Sequence, residues 1–236
     1  MKRLLIGAGI LVCSLLFAAV KDYWGERNSL EGAKKAYESL KVQFQQNPSS
    51  YEVAWKFARA AYHYAENFVK DKNTRKIIFT EGKEAAEKAT QLNPQSPEGW
   101  YWLGVCLGSW GEVNGIMQSL GAVKPIMNAV ARGMAVNPNW DDGAFYNLRG
   151  RVYHRAPAGI SVGDKQRAEA DYKQVLVLNP KNRTAYRFYA ELLLEQGRRD
   201  EATKIIEKGL SLPYDEGNKI TEDKEIRLLQ ELKKKL

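Results

Sequence analysis

The chain has 236 residues, 44% hydrophobic and 27% charged, enough to bury a good core as one solenoid or at most two small domains. Its net charge of +8 permits a nucleic acid, an anionic membrane surface or an acidic protein as partner, but acids are interleaved with the bases throughout, which reads as solvated helix faces. Two cysteines, Cys13 and Cys106, exclude a disulfide framework and a cysteine-rich metal site.

At the N-terminus, Met1-Lys2-Arg3 precedes an uncharged apolar run from Leu4 to Val20 that ends at Lys21-Asp22. A basic start and such a run describe a signal-anchor or signal peptide over residues 1–21. As a helix the run would reach ~26 Å, slightly short of a ~30 Å hydrocarbon core. Phe17 lies three positions before a cut after Ala19, and Val12 rather than a small residue precedes Cys13, so an uncleaved anchor is favoured over secretion. With Lys2 and Arg3 held in the cytoplasm, the rest of the chain would be extracytoplasmic (periplasmic in a bacterium), or secreted if the segment is cut.

Beyond it, prolines recur in company: Asn47-Pro48, Asn93-Pro94, Asn137-Pro138, Asn179-Pro180, then Leu212-Pro213, at steps of 46, 44, 42 and 33 residues. That is the rhythm of a helix-pair repeat, in which one unit cannot bury its own apolar face and must stack on its neighbours. Ser29 to Gln46 reads as the second helix of a partial unit, with Ala36 and Leu40 inward. After Pro48, Trp55, Ala58, Ala61 and Tyr62 mark a first helix, and Phe79 to Leu92, with Ala85, Ala86 and Ala89, a second. After Pro94, Trp100, Leu103, Gly104 and Leu107 share one helical face, and Gly104 omits a side chain where a partner helix comes close. The glycine-rich stretch Trp110–Pro125 is longer than a bundle turn needs. It is either a helix extension packed on the solenoid or an exposed apolar element for a partner or ligand.

The unit after Pro138 fits with two residues inserted: Tyr146, Gly150 and Tyr153, a loop over Arg155–Gly163, Asp164 as helix cap, then Ala168, Tyr172 and Val175. After Pro180 come Tyr186, Tyr189, Ala190 and Leu193, a Gln196-Gly197 turn, and a second helix from near Asp200 carrying Ala202, Ile206 and Gly209. Residues 22–221 thus form a solenoid, and 222–236, with Ile226, Leu229 and Leu232 on one stripe, a C-terminal capping helix.

The unit from Asn179-Pro180 to Leu212-Pro213 closely resembles the tetratricopeptide repeat (TPR). That resemblance implies an all-α, right-handed solenoid of helix pairs behind the N-terminal apolar anchor helix. Within Glu98–Leu212, the run Asp142-Gly143-Ala144-Phe145-Tyr146-Asn147-Leu148-Arg149-Gly150-Arg151, with Ala156-Pro157, Gly163-Asp164-Lys165 and Ala168, is similar to two groups. One is the regulators of microtubule dynamics; the other is the T component associated with bacterial TRAP transporters.

By analogy with TPR proteins, the first helices line a concave groove. The positions facing it would be Trp55, Arg59, Tyr62 and His63; Tyr101 and Val105; Asn147, Arg151, His154 and Arg155; then Arg187, Glu191, Leu194 and Glu195. Arginine forks and aromatic faces in one groove suit an acidic or C-terminal protein segment, with Arg151, His154 and Arg155 at its centre. No Gly-rich phosphate loop, metal-spaced histidine pair or nucleophilic constellation is legible, so neither catalysis, cofactor nor metal is expected, and the sequon Asn182-Arg183-Thr184 is a weak match. The function expected is a membrane-anchored scaffold that binds a partner protein. The alternative is a periplasmic accessory that docks a solute-binding protein and carries a hydrophobic ligand. Nucleic-acid binding is disfavoured by the export-type N-terminus, and the oligomeric state is left open.

Overall fold

Each Asn-Pro pair builds the same corner. Before proline, a residue is pushed toward extended backbone. Asn47, Asn93, Asn137 and Asn179 adopt φ near −136°, −142°, −153° and −136°, and each closes the preceding helix by donating its N–H to the carbonyl four residues back. Their carbonyls accept from the N–H three residues on, and Asn93, Asn137 and Asn179 also accept at Oδ1 from the N–H two residues on. After the corners at Asn47, Asn93 and Asn179 the next helix starts at once, capped by Ser50 or Asn182, or opened by Pro97 in its first turn.

The computed structural model describes residues 23–236, so the Leu4–Val20 run and Cys13 lie outside the described residues. After a short 3-10 turn at Tyr23–Glu26, ten α-helices follow: α1 (Leu30–Gln46), α2 (Tyr51–Phe68), α3 (Lys72–Leu92), α4 (Pro97–Asn114), α5 (Ile116–Val136), α6 (Ala144–Arg155), α7 (Lys165–Leu178), α8 (Arg183–Glu195), α9 (Arg199–Leu210) and α10 (Lys219–Lys233). Successive helices pack as antiparallel pairs, so that α2, α4, α6, α8 and α10 run side by side as the first helices of the stack. Among the described residues no strand forms. The loop expected over Arg155–Gly163 is present, and Asp164 Oδ1 accepts from the N–H groups of Gln166 and Arg167.

The small-large pattern read from the repeats becomes the core. Ala54, Ala58, Ala61 and Ala65 of α2 and Ala85, Ala86 and Ala89 of α3 are buried, and Phe79 fills the space between them. Gly104 lets Leu148 approach, since a Cβ there would fall 2.7 Å from Leu148 Cδ2. Gly133 of α5 does the same for the buried Phe145 ring. Apolar packing runs continuously from α1 to α6, and a separate pair of clusters holds α7 to α10, joined to the first through α6 and its residue Tyr153. Cys106 is wholly buried, its thiol pushed up by desolvation, an inert core residue.

Of the two readings left open for Trp110–Pro125 the first holds, and two other local features differ from the simple repeat. The Trp110–Pro125 stretch is helix extension: α4 continues to Asn114, Gly115 turns the chain with φ +113°, and α5 begins at once, carrying Pro125 inside it. Ala122 and Ile126 pack inward, while Ile116 and Met117 at the tip are 80% and 75% exposed. The helix before Leu92 starts at Lys72, capped by Asp71, seven residues earlier than Phe79. In the third unit Trp140 takes the place of the capping Ser or Asn, and a left-handed turn at Asp141 (φ 48°), Asp142 (φ 53°) and Gly143 (φ 92°) delays α6 to the sixth residue past the proline.

Candidate protein-binding site

All five first helices face one central cavity of about 570 Å³. α2 gives it Tyr62, His63, Glu66 and Asn67; α4 gives Tyr101, Val105, Gly108, Ser109 and Glu112. α6 adds Ala144, Asn147, Leu148 and Arg151, with Asp141 just before it; α8 adds Asn182, Thr184, Arg187 and Phe188; α10 adds Thr221, Lys224, Glu225 and Leu228. Helices place these residues together because positions three and four apart share a face. Tyr62, Tyr101, Asn147, Arg151, Arg187 and His63, all named from the sequence, therefore do meet.

Their surroundings differ from the expectation of an open basic groove. Arg151 Nη1 donates to Glu191 Oε2 at 2.6 Å, Arg187 Nη1 to Glu191 Oε1 at 2.7 Å, and Arg187 is also paired with Glu225 of α10. Both guanidinium groups lie 4.2 Å from the centroid of the Phe188 ring. Burial pushes Glu191 up, but Arg151 and Arg187 outweigh it and hold its carboxyl below the usual range. The carboxylates foreseen in an acidic partner are thus already supplied in part by α8 and α10. Sequence reasoning missed Glu225 because its partner lies thirty-eight residues away, beyond any helical spacing.

His154 is not on the groove surface. Its side chain is wholly buried; Nδ1 lies 3.3 Å from the Tyr172 hydroxyl and Nε2 3.1 Å from Glu195 Oε2. Burial holds the imidazole below its ordinary value despite Glu195. Arg155, in contrast, is 61% exposed and lines a second hollow with Arg151, Leu194, Arg199 and Lys235. Trp55 and Arg59 stand outside the cavity wall: Arg59 stacks 3.7 Å from the Trp24 ring centroid and 4.9 Å from that of Trp55, under the N-terminal turn. His63 is fixed by the same turn. Nε2 sits 3.0 Å from the Arg27 carbonyl and so must donate, leaving Nδ1 to accept from Asn67 at 3.3 Å.

Two polar features of the wall depend on burial that spacing alone did not show. The Asn147 Oδ1 is buried without a hydrogen-bond partner. Asp141, in its left-handed turn, is pushed up by burial and by Asp142. The substitution of Trp140 for a capping residue was the one available clue to that turn. Among the described residues no group of three or more His, Cys, Asp or Glu side chains is placed to hold a metal ion, and no helix is long and apolar enough to cross a membrane.

Solved structures share this architecture. A thermophilic TPR protein from Thermus thermophilus superposes with a TM-score of 0.66 at 19% identity, over 89% of this chain and 94% of that one. MamA gives a TM-score of 0.52 at 20% identity, over 80% and 94%. At these identities the likeness shows a TPR-like helical repeat and no more. By sequence, regulator of microtubule dynamics protein 1 of Bos taurus is 26% identical over 132 residues, 52% of this chain and 41% of that relative, so this chain matches about two fifths of its length. The family model described as regulator of microtubule dynamics protein 1-3 matches residues 22–236, every residue of the solenoid rather than Glu98–Leu212 alone. The chain belongs to the regulator of microtubule dynamics protein 1-3 family.

Proposed function

We propose that this chain is a scaffold whose ring of first helices binds a segment of a partner protein. The observation that carries the reading is the cavity itself. Five helices converge on it with the aromatic faces of Tyr62, Tyr101 and Phe188, an unpartnered Asn147 oxygen and, at its flank, the exposed guanidinium of Arg155. Aromatic anchors and forked donors on a rigid, preformed wall are what recognition of a peptide segment requires. The pairing of Arg187 with Glu225, of Arg151 with Glu191 and, more loosely at 3.6 Å, of Arg155 with Glu195 argues for a segment carrying few acids: at most one carboxylate shared at the exposed Arg155, with apolar or amide groups for Tyr101 and Asn147.

The family description makes microtubules the first partner to test. Co-sedimentation of the full chain with microtubules, wild type beside Asn147→Arg, which fills the cavity, and Arg155→Glu, which reverses its flank, separates the possibilities. Binding lost in both variants supports the ring as the site. Binding that survives both sinks it.

The Leu4–Val20 run would tether the ring to a membrane; the microtubule reading requires the ring on the cytoplasmic face, against the extracytoplasmic placement that Lys2 and Arg3 favour. Protease protection in sealed membranes, with the run present and deleted, checks this. The accessory reading, a ligand channel near Trp110–Met127, has less support, because Ala122 and Ile126 fill the core there.

A further inference from the structure

The ring of first helices closes on itself, and the closure is chemically unlike every other junction in the stack. Where α10 meets α8, Leu229 and Leu232 pack on Ala190 and Ile206, and Glu222 and Glu225 are buried against Arg183 and Arg187. Where the other side of α10 meets the start of the chain, the contacts are polar. Arg27 Nη2 donates to the Gly217 carbonyl at 2.5 Å and to Asn218 Oδ1 at 2.9 Å. Asn28 Nδ2 donates to the Gly217 carbonyl at 3.2 Å, and its Oδ1 accepts from Ile220 N at 3.4 Å. Lys224 Nζ reaches across to Glu66 Oε1 at 2.7 Å. None of the buried apolar clusters spans this seam.

The rest of the molecule is divided in the way an opening would need. One apolar cluster unites α1 to α6, others unite α7 to α10, and they join only at α6. On either side of α6 lie the left-handed Asp141–Gly143 turn and the long connection to Asp164. A rotation of the two bodies about α6 would part the seam without exposing a core.

We infer that the contact between the N-terminal turn with α2 and the first turns of α10 is a polar latch, and that the ring opens there to admit its occupant. The Arg27 contacts and the Asn28–Gly217 bond are exposed and the Lys224–Glu66 pair is half-buried; such polar contacts contribute little each and are screened by salt, whereas buried apolar contacts are not. The latch therefore yields first, and it does so with ionic strength. A partner segment that reaches the central cavity passes through this seam. That consequence rests on the cavity being the partner site; the opening itself does not, and the test reads the opening alone.

The test is a distance measurement on the full chain. Spin labels at Asn73→Cys and Gln230→Cys, in a Cys13→Ser background with Cys106 buried, report across the seam. Labels at Lys204→Cys and Gln230→Cys report across the α9–α10 packing as the control. Raising NaCl from ~0.05 to ~0.5 M should enlarge the long-distance population of the seam pair about threefold or more, with the control pair unchanged. Lys224→Glu should do the same at low salt, while Glu66 keeps its pair with Arg75 at 2.7 Å. Arg27→Ala, which leaves the Lys224–Glu66 pair in place, should open the seam independently. Seam distances unmoved by salt, by Lys224→Glu and by Arg27→Ala would overturn the latch. Equal broadening of the control pair would overturn it too, since α10 would then be leaving the stack as a whole.

Discussion

The two sides of α10 hold one helix by different physics. Toward α8 and α9 it buries leucines and two ion pairs; toward α2 and the N-terminal turn it offers a half-buried lysine, a turn carbonyl and an asparagine to polar partners. A capping helix needs only the first kind of contact to seal the end of a stack. The second kind makes a ring of it. The difference teaches that closure of the solenoid is separable from its stability, and graded substitutions can pull the two apart.

The largest expected effect is on the sealed side. Leu229→Ala should lower unfolding free energy by about 2–5 kcal/mol, because the wholly buried side chain leaves a cavity between α8 and α9. Chemical denaturation measures it; a loss under 1 kcal/mol, on the order of a surface change, would show that α10 is not part of the cooperative core.

Next, Glu225→Gln removes one charge from a buried pair. Breaking such a pair outright costs about 3–5 kcal/mol, but Glu191 still holds Arg187, so the loss should fall toward or below the lower end. If Glu225→Gln with Glu191→Gln costs no more than either alone, the carboxylates do not share Arg187 as the geometry has it.

On the open side, Lys224→Ala should change stability by less than about 1 kcal/mol, while the seam distance responds. A large stability loss would erase the contrast between the two junctions.

The smallest effect is that of pH. Burial lowers the folded-state value of His154, so between that value and the unfolded 6.5 the unfolded chain binds more protons, and stability falls as pH drops below about 6.5. Glu191 is also held low in the folded state; its contribution is complete above its unfolded value and is lost as pH falls through and below about 4.5. Burial lowers His63 in the same way, so denaturation between about pH 7 and 5 should show a slope that His154→Gln reduces and His154→Gln with His63→Gln flattens. A wild-type slope of zero over that range would mean that neither imidazole is held neutral by burial.

What the sequence determined by itself is everything whose physics is local. Asn before Pro must leave the helical region, so the corners at Asn47, Asn93, Asn137 and Asn179 were legible, as was Asp164 as a cap. Alanines, tyrosines and glycines at helical spacing marked the buried faces, and Ala168, Tyr172, Val175, Ala190, Leu193, Ala202 and Ile206 are all buried as their positions required. The repeat was legible for the same reason: each unit exposes a face that only another unit can cover.

What only the tertiary structure decided is where the stack curves to and which charges it brings together. Curvature accumulates from small rotations at each helix pair, and no single residue records their sum. So the ring, the pairing of Arg187 with Glu225 and the reach of Lys224 to Glu66 could not be read from spacing. Nor could the loss of His154 to the interior, since a position on a first helix faces groove or core by a turn of a few tens of degrees. The left-handed turn at Asp141 and Asp142 belongs to the same class: it is held by the packing of Trp140 on Tyr101 and Phe145, partners from another unit and from α6. Local chemistry fixes the pieces of this protein, and the summed geometry of ten helices fixes the cavity they enclose.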